Sequence, residues 1–380
     1  MRPALVLAGA LLWGCGPPPL PPPVRCNSPM IPPSTPTLVL TGDPWTLEVS
    51  FGTECDPPTA IEASVLDAEN RVVPSTATLS AYVATVKFTP TTSGSHHVTA
   101  RFQPNRGTVQ LDIDVARDRS GEPGLDLALA DATDLELGDA GVLVAGATVY
   151  RVDQGAPVAL RAFSGPVRVI GDVVWARDGR DVWRFVATPQ SDGGLTLEAT
   201  PAAKLVMFGD FTYPTRDDIM GTYGNSVGYA RTDGGAWSAH SIQLTVYGGW
   251  THRLGGKFLA VSPMGTCLTD VTGTRDSGCS AGQIPGHYLG GDDLGLWLSR
   301  TFGLGGLDRY DGAALRGLAV PRGAAVSGTS APRVEIGGRE YLAVASPSAL
   351  GYEYWGPIVS ASSTTVATRV DAGVLRVRWR

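Results

Sequence analysis

The sequence predicts an all-β protein: a small β-sandwich followed by a β-propeller of about seven blades. Three observations carry that prediction. Short runs of alternating apolar and polar residues recur along most of the chain, the period of half-buried strands. The composition disfavours helices, because 48 Gly and 29 Pro stand in a chain of 380 residues of which only 17% are charged. Beyond residue 124, strand-turn-strand units recur at an average spacing of about 40 residues, the period of a four-stranded propeller blade. Two or three further β-sandwiches are the alternative architecture for that region.

Residues 1–14 read as an export leader. Arg2 is a lone positive charge, Ala4–Leu12 is a short apolar core, and Leu12-Trp13-Gly14-Cys15 closes it with a small residue before a cysteine. The core is too short to span a bilayer as an uncleaved anchor. The pattern resembles the lipobox of bacterial lipoproteins. That resemblance implies cleavage before Cys15, fatty acylation of its thiol and anchorage at the cell envelope. Trp13 departs from the usual lipobox, which leaves an ordinary secretory signal as the alternative. Gly16 after the cysteine, in place of the Asp that signals inner-membrane retention, points by the same resemblance to the outer membrane.

Residues 15–36 form the tether. Pro17–Pro23 is almost pure proline and Pro29, Pro32, Pro33 and Pro36 extend the bias, so the segment favours a stiff polyproline II spacer. Residues 37–116 then read as the sandwich. Strands are expected at Thr37–Leu40, Trp45–Phe51, Glu62–Leu66, Tyr82–Phe88, His96–Phe102 and Thr108–Val115, with turns at Gly42-Asp43-Pro44, Asp56-Pro57-Pro58 and Thr92-Ser93-Gly94. On the last strand Val109, Leu111, Ile113 and Val115 face one way and Asp112 and Asp114 the other. The stretch Val86-Lys87-Phe88-Thr89-Pro90 followed by a glycine turn and His96-His97-Val98 resembles the late strands of filamin-type and other Ig-like repeats, which implies an Ig-like fold.

Charged residues with Gly121 and Pro123 mark 117–123 as a linker. The propeller follows over 124–380. Its hairpins are expected at Val142–Val152, Val173–Phe185, Val227–His240, Phe258–Thr269, Leu296–Tyr310, Tyr341–Trp355 and Thr365–Trp379, several with Asp-Gly or Asp-Ala-Gly tips suited to tight turns. The run Leu375–Arg380 reads as the strand that closes the ring against residues near Leu125–Leu137, with its three arginines outward. No Trp-Asp or kelch signature is present.

With Cys15 assigned to lipid, Cys26, Cys55, Cys267 and Cys279 remain, an even number suited to disulfides in an exported protein. Three pairings are open. The local one, Cys26 with Cys55 and Cys267 with Cys279, keeps each bond within one domain, and each bond would stabilise by roughly 3 kcal/mol.

Sites of chemistry are scarce. Gly278-Cys279-Ser280-Ala281-Gly282 matches a nucleophile elbow, but no helix follows it and Pro285 comes soon after. His96 and His97 point to opposite faces of one strand and cannot share a metal. The remaining histidines read as loop or surface residues. Asp126, Asp131, Asp134 and Asp139 lack a calcium-loop pattern. Asp217, Asp218, Asp292, Asp293, Asp308 and Glu353 are the carboxylates that could act on a glycosidic bond if the fold pairs them. Trp237, Trp250, Trp297 and Trp355 are candidate sugar-stacking rings, although ring packing between blades is the commoner use of such residues. No catalytic residue, metal or cofactor is expected. A net charge of −6 disfavours nucleic acid as a partner. The expected role is that of an envelope lipoprotein that binds or scaffolds protein or glycan without catalysis. A polysaccharide-active propeller enzyme and a passive structural lipoprotein are the alternatives.

Overall fold

The computed structural model describes residues 29–380 except 55, 105–106, 130–134, 154–155, 180, 191–194, 200–204, 207–209, 213–215, 224–225, 234–235, 244–249, 255–256, 263–264, 270–285, 293, 301–305, 328–330, 347–348 and 363. For most strand residues between 195 and 269 it describes the backbone alone. The chain is all-β, an Ig-like sandwich joined to a propeller.

The sandwich comprises β1 (Leu38–Leu40), β2 (Trp45–Ser50), β3 (Ala60–Leu66), β4 (Ser75–Ser80), β5 (Val83–Phe88), β6 (Gly94–Gln103) and β7 (Thr108–Asp118). One sheet runs β2-β5-β4, and the other places β7 between β1 and β6 with β3 beyond β6. Alternation drives the packing. Trp45, Leu47 and Val49 of β2 meet Val98, Ala100 and Phe102 of β6 and Ile113 and Val115 of β7 in one core. The strand β4 is absent from the expected set because Ser-Thr-Ala-Thr-Leu-Ser is mostly polar, with only Ala77 and Leu79 on its inner face. Backbone pairing to β5, from Ser75↔Phe88 to Ser80↔Val83, makes it a strand. Gly94 begins β6 with φ +110°, and a Cβ there would lie 2.9 Å from the Ala68 Cβ. Only glycine suits that position.

Among the described residues seven successive sheets follow, and each expected hairpin falls in one of them. Blade one holds Leu135–Leu137, Val142–Ala145, Thr148–Asp153 and Ala156–Ala162; blade two holds Val167–Ile170, Val173–Asp178, Asp181–Pro189 and Leu195–Ala199. Blade three spans Asp210–Thr212 to Ala236–Gln243, and blade four shows three strands among the described residues, Trp250–Leu254, Lys257–Ser262 and Gly265–Thr269. Blade five runs from His287–Asp292 to Leu315–Ala319, blade six from Ala325–Ser327 to Leu350–Tyr354, and blade seven holds Ile358–Ala361, Thr365–Asp371 and Val374–Trp379. The tip between Val173–Asp178 and Asp181–Pro189 is a two-residue turn, with Asp178 opposite Asp181 and Gly179 at φ +63°.

The fourth strand of blade seven is β8 (Leu125–Leu127), which pairs with the closing strand at Val377↔Leu125 and Leu375↔Leu127. The first and last parts of the propeller therefore share a sheet. Arg376 adds a two-pronged pair to Asp126 at 2.6 and 2.7 Å. The expectation of three outward arginines fails for two of them, because Arg380 reaches in to the carbonyls of Ser362 and Ala343 and Arg378 is buried. It is 4% exposed, and its guanidinium donates to the carbonyls of Ser120 and Glu122 and to Thr368 Oγ1.

The segment read as a linker is also structured differently. Strand β7 continues to Asp118 and pairs in parallel with the outer strand of blade six, Arg117 opposite Glu353 and Asp118 opposite Tyr354. The sandwich sheet and blade six thereby form one eight-stranded sheet. Strand β1 divides its side chains accordingly. Val39 enters the sandwich core, while Leu38 and Leu40, with Ala116 of β7, enter a second core beside Trp297, Tyr341 and Tyr352. A strand buried on both faces shows no alternation, which is why its burial is continuous.

Candidate functional site

The welded junction creates two clefts. The larger, about 960 Å³, lies between the end of the tether, β1, and blade six, and is bordered by Ile31, Pro33, Pro36, Trp45, Ile336 and Tyr341 among others. Its lining is largely backbone and neutral side chains. Of the charged residues there, Asp43 and Arg339 neutralise one another, leaving Arg322. The tether holds its place because the Trp45 indole N–H donates to the Pro36 carbonyl at 2.8 Å and Met30 pairs with Ser50.

The second cleft, about 680 Å³, lies between the polar face of β6 and β7 and blades five and six. Asp112 and Asp114 point into it beside Ser95, Arg316 and Arg322. Burial pushes the Asp114 carboxyl up to about 6, and the nearby Asp112 charge adds to the shift. Asp112 itself accepts from His97 Nδ1 at 2.6 Å. Sequence reading placed both aspartates on one face but gave no sign that a blade would cover them.

The expected site residues are dispersed. Trp297 and Trp355 are 2% and 1% exposed, so neither offers a face to a sugar. Trp297 packs in the core shared with β1. Trp355 lies under the Arg119 guanidinium at 4.5 Å and donates its N–H to Glu353 at 3.1 Å. Both were drawn inside because an aromatic ring buries more apolar area between sheets than any other side chain. The backbones of Trp237 and Trp250 lie in blades three and four, and their side chains are outside the described residues, as are Cys15, Cys26, Cys55, Cys279, the side chain of Cys267 and the Gly278–Gly282 motif.

The candidate carboxylates are held in ion pairs. Asp308 takes a forked pair from Arg300, Asp217 lies 3.7 Å from Arg184, and Asp292 accepts from Arg309. Glu353 accepts from Arg119 at 2.9 Å. Asp292 and Glu353 do share a cavity of about 210 Å³, but in the company of Arg119, Arg309 and Arg380. Asp218 and Asp293 have no described side chain. Of the histidines, His96 and His97 face opposite ways as expected, while His252 departs from the loop or surface reading. His96 is buried in the sandwich core, stacked on Phe88, and His252 is buried between the Tyr288 hydroxyl and the Asp292 carbonyl, each at 2.9 Å. Burial pushes the His252 imidazole down to about 4. Among the described residues no cluster of His, Cys, Asp and Glu is arranged to hold a metal.

No protein-family model and no curated protein matches the sequence. Among solved structures, the filamin domain of Lin-41 is similar at 14% identity over 23% of this chain and 90% of that one, with a TM-score of 0.21. A quinonprotein alcohol dehydrogenase-like protein from Bacteroides thetaiotaomicron is similar at 10% identity over 89% of each chain, with a TM-score of 0.29. Kluyveromyces lactis Hsv2 is similar at 11% identity over 66% of this chain and 97% of that one, with a TM-score of 0.35. Function does not follow from likenesses this distant. The architecture rests on the strand order described above.

Proposed function

We propose that the protein is a lipid-anchored envelope module that binds a protein or glycan partner in the junction cleft and catalyses no reaction. The observation that carries this reading is the lining of the larger cleft, which apart from the paired Asp43 and Arg339 and the cation Arg322 is proline and neutral residues, and so offers shape and hydrogen bonds rather than a poised acid or base. Acylated Cys15 fixes the chain to the membrane, the proline tether lifts the folded part from the headgroups, and the tether's ordered end forms one wall of the cleft. Tethering raises the local concentration of the module near envelope partners. Outer-membrane placement and the disulfides Cys26–Cys55 and Cys267–Cys279 belong to the same reading.

Two measurements test it. Mass spectrometry of the mature protein is expected to find an acylated N-terminal Cys15, and an unmodified N-terminus elsewhere removes the anchor. A glycan array and cross-linking in envelope fractions are expected to return a partner that Ile336→Glu, at the cleft wall, no longer captures. Capture unchanged by that substitution moves the binding site elsewhere.

A further inference from the structure

The larger junction cleft runs along the edge of a strand. β1 pairs on one side only, in parallel with β7 from Leu38↔Asp114 to Leu40↔Ala116. At its two ends the Thr37 carbonyl accepts from the Asp114 N–H at 2.8 Å, and the Thr41 N–H donates to the Ala116 carbonyl at 3.0 Å. Peptide groups alternate in direction along a strand, so residues 37, 39 and 41 bond toward β7 while Leu38 and Leu40 point their N–H and C=O the other way. The Leu40 carbonyl is taken by the Asp43 N–H at 3.1 Å. The Leu38 N–H, the Leu38 carbonyl and the Leu40 N–H have no hydrogen-bond partner among the described residues.

The surroundings leave that edge to the cleft. The side chains of Leu38, Val39 and Leu40 are held in the two cores, so what β1 presents to the cleft is its backbone. Across from it Ile336, Gly337 and Tyr341 of blade six border the cleft without pairing to β1. The tether wall, Ile31–Pro36, has proline at three of its six positions and cannot supply a ladder of donors. Edge strands are ordinarily blunted by charge, proline or a bulge, and Leu-Val-Leu has none of these. One charge is also left for a partner. With Asp43 and Arg339 paired to each other, Arg322 is exposed, lines both this cleft and the neighbouring one, and makes no ion pair or hydrogen bond among the described residues.

We propose that the junction cleft takes an extended peptide segment, which adds as a strand to the free edge of β1 and sets a carboxylate against Arg322. This inference rests on the reading of the cleft as a binding site and narrows its partner to a polypeptide. The series Leu38 N–H, Leu38 C=O, Leu40 N–H repeats at the two-residue spacing of a strand, which is set by peptide geometry and not by sugar rings. Ile31, Ile336 and Tyr341 in the cleft walls give apolar contact to the side chains of such a segment. Nothing in the site depends on the lipid anchor.

The test uses the whole mature chain and a random peptide library displayed on phage. Enriched sequences are expected to share an acidic residue, and their affinities are measured by fluorescence anisotropy on synthetic peptides. Each peptide is then made in two versions, with alternate backbone amides N-methylated in one register or the other. One version is expected to bind about tenfold or more weakly and the other as the parent does, because only one edge of an added strand faces β1. Arg322→Glu is expected to weaken binding about tenfold, Ile336→Glu to abolish it, and Arg101→Gln, exposed on β6, to leave it unchanged. If Ile336→Glu does not fold, the N-methyl comparison on the wild-type chain decides. Equal affinities for the two methylated versions, or peptide binding that survives Ile336→Glu, would overturn the inference. So would a library that yields no enriched peptide; a glycan captured by the wild type and lost in Ile336→Glu would then leave the cleft a binding site of another kind. Self-association in sedimentation that Ile336→Glu abolishes would give the edge to a second copy of the chain and equally overturn it.

Discussion

Asp114 illustrates how a residue's surroundings set its chemistry. On a solvated strand face it would be an ordinary carboxylate, but blades five and six close over it and burial holds its proton up to about 6. The native state thus binds the proton more tightly than the unfolded chain. Asp114 detracts from stability above about pH 6, and that penalty disappears below its unfolded value near 3.8. Asp114→Asn is therefore expected to be more stable than wild type at pH 7.5 and to lose that advantage at pH 4, as read from denaturant midpoints. His252 acts in the opposite sense. Its folded value, pushed down to about 4 from 6.5, means stability is lost as pH falls through that window. Gly94→Ala adds a purely steric prediction. A non-glycine backbone at φ +110° costs about 1–3 kcal/mol, and pressing a Cβ against Ala68 adds about 1–3 kcal/mol; calorimetry of the variant checks the loss.

At the scale of elements, β1 and the closing strand decide how the parts hold together. Leu40 of β1 is 6% exposed and sits in the propeller-side core although its strand pairs with the sandwich. Leu40→Ala is expected to cost about 2–5 kcal/mol by leaving a cavity at the weld, and to lower the unfolding midpoint of the sandwich and the propeller together. A variant that shifts one transition and leaves the other in place would show that the shared core does not couple them. Arg378 has the equivalent role at the ring's seam. Arg378→Leu strands the carbonyls of Ser120 and Glu122, a loss of about 1.5–3 kcal/mol for hydrogen bonds to a charged group. Denaturant titration of that variant gives the comparison.

For the molecule as a whole, the shared sheet makes the sandwich and propeller one body and not two beads on a linker. Residues 29–118 produced alone would expose Leu38, Leu40 and Ala116, which the propeller covers in the intact chain. That fragment is expected to associate or aggregate at concentrations where the full chain stays monodisperse, as light scattering would show. A monodisperse, cooperatively folding fragment would mean that the contact is dispensable. The same union builds both clefts, since each has one wall from the sandwich and one from the propeller.

Much of this architecture was legible in the chain itself. Two-residue alternation, glycine at hairpin tips and a recurring spacing are local properties, so they marked the all-β class, the seven hairpins and a closing strand against residues near Leu125–Leu137, of which Leu125–Leu127 make the pair, without any knowledge of the packing. Local signals could not reveal what depends on two distant segments meeting. Strand β4 carries only Ala77 and Leu79 on its inner face, too weak a signal to stand without its partner. Residues Arg117 and Asp118 read as part of a charged linker because the strand they pair with, at Glu353 and Tyr354, lies far along the sequence. For the same reason the sequence left Trp297 and Trp355 open between sugar stacking and packing between blades, and Asp114 read as an unremarkable charge. A side chain's exposure and acidity are set by what covers it, and only the closed fold brings those coverings together.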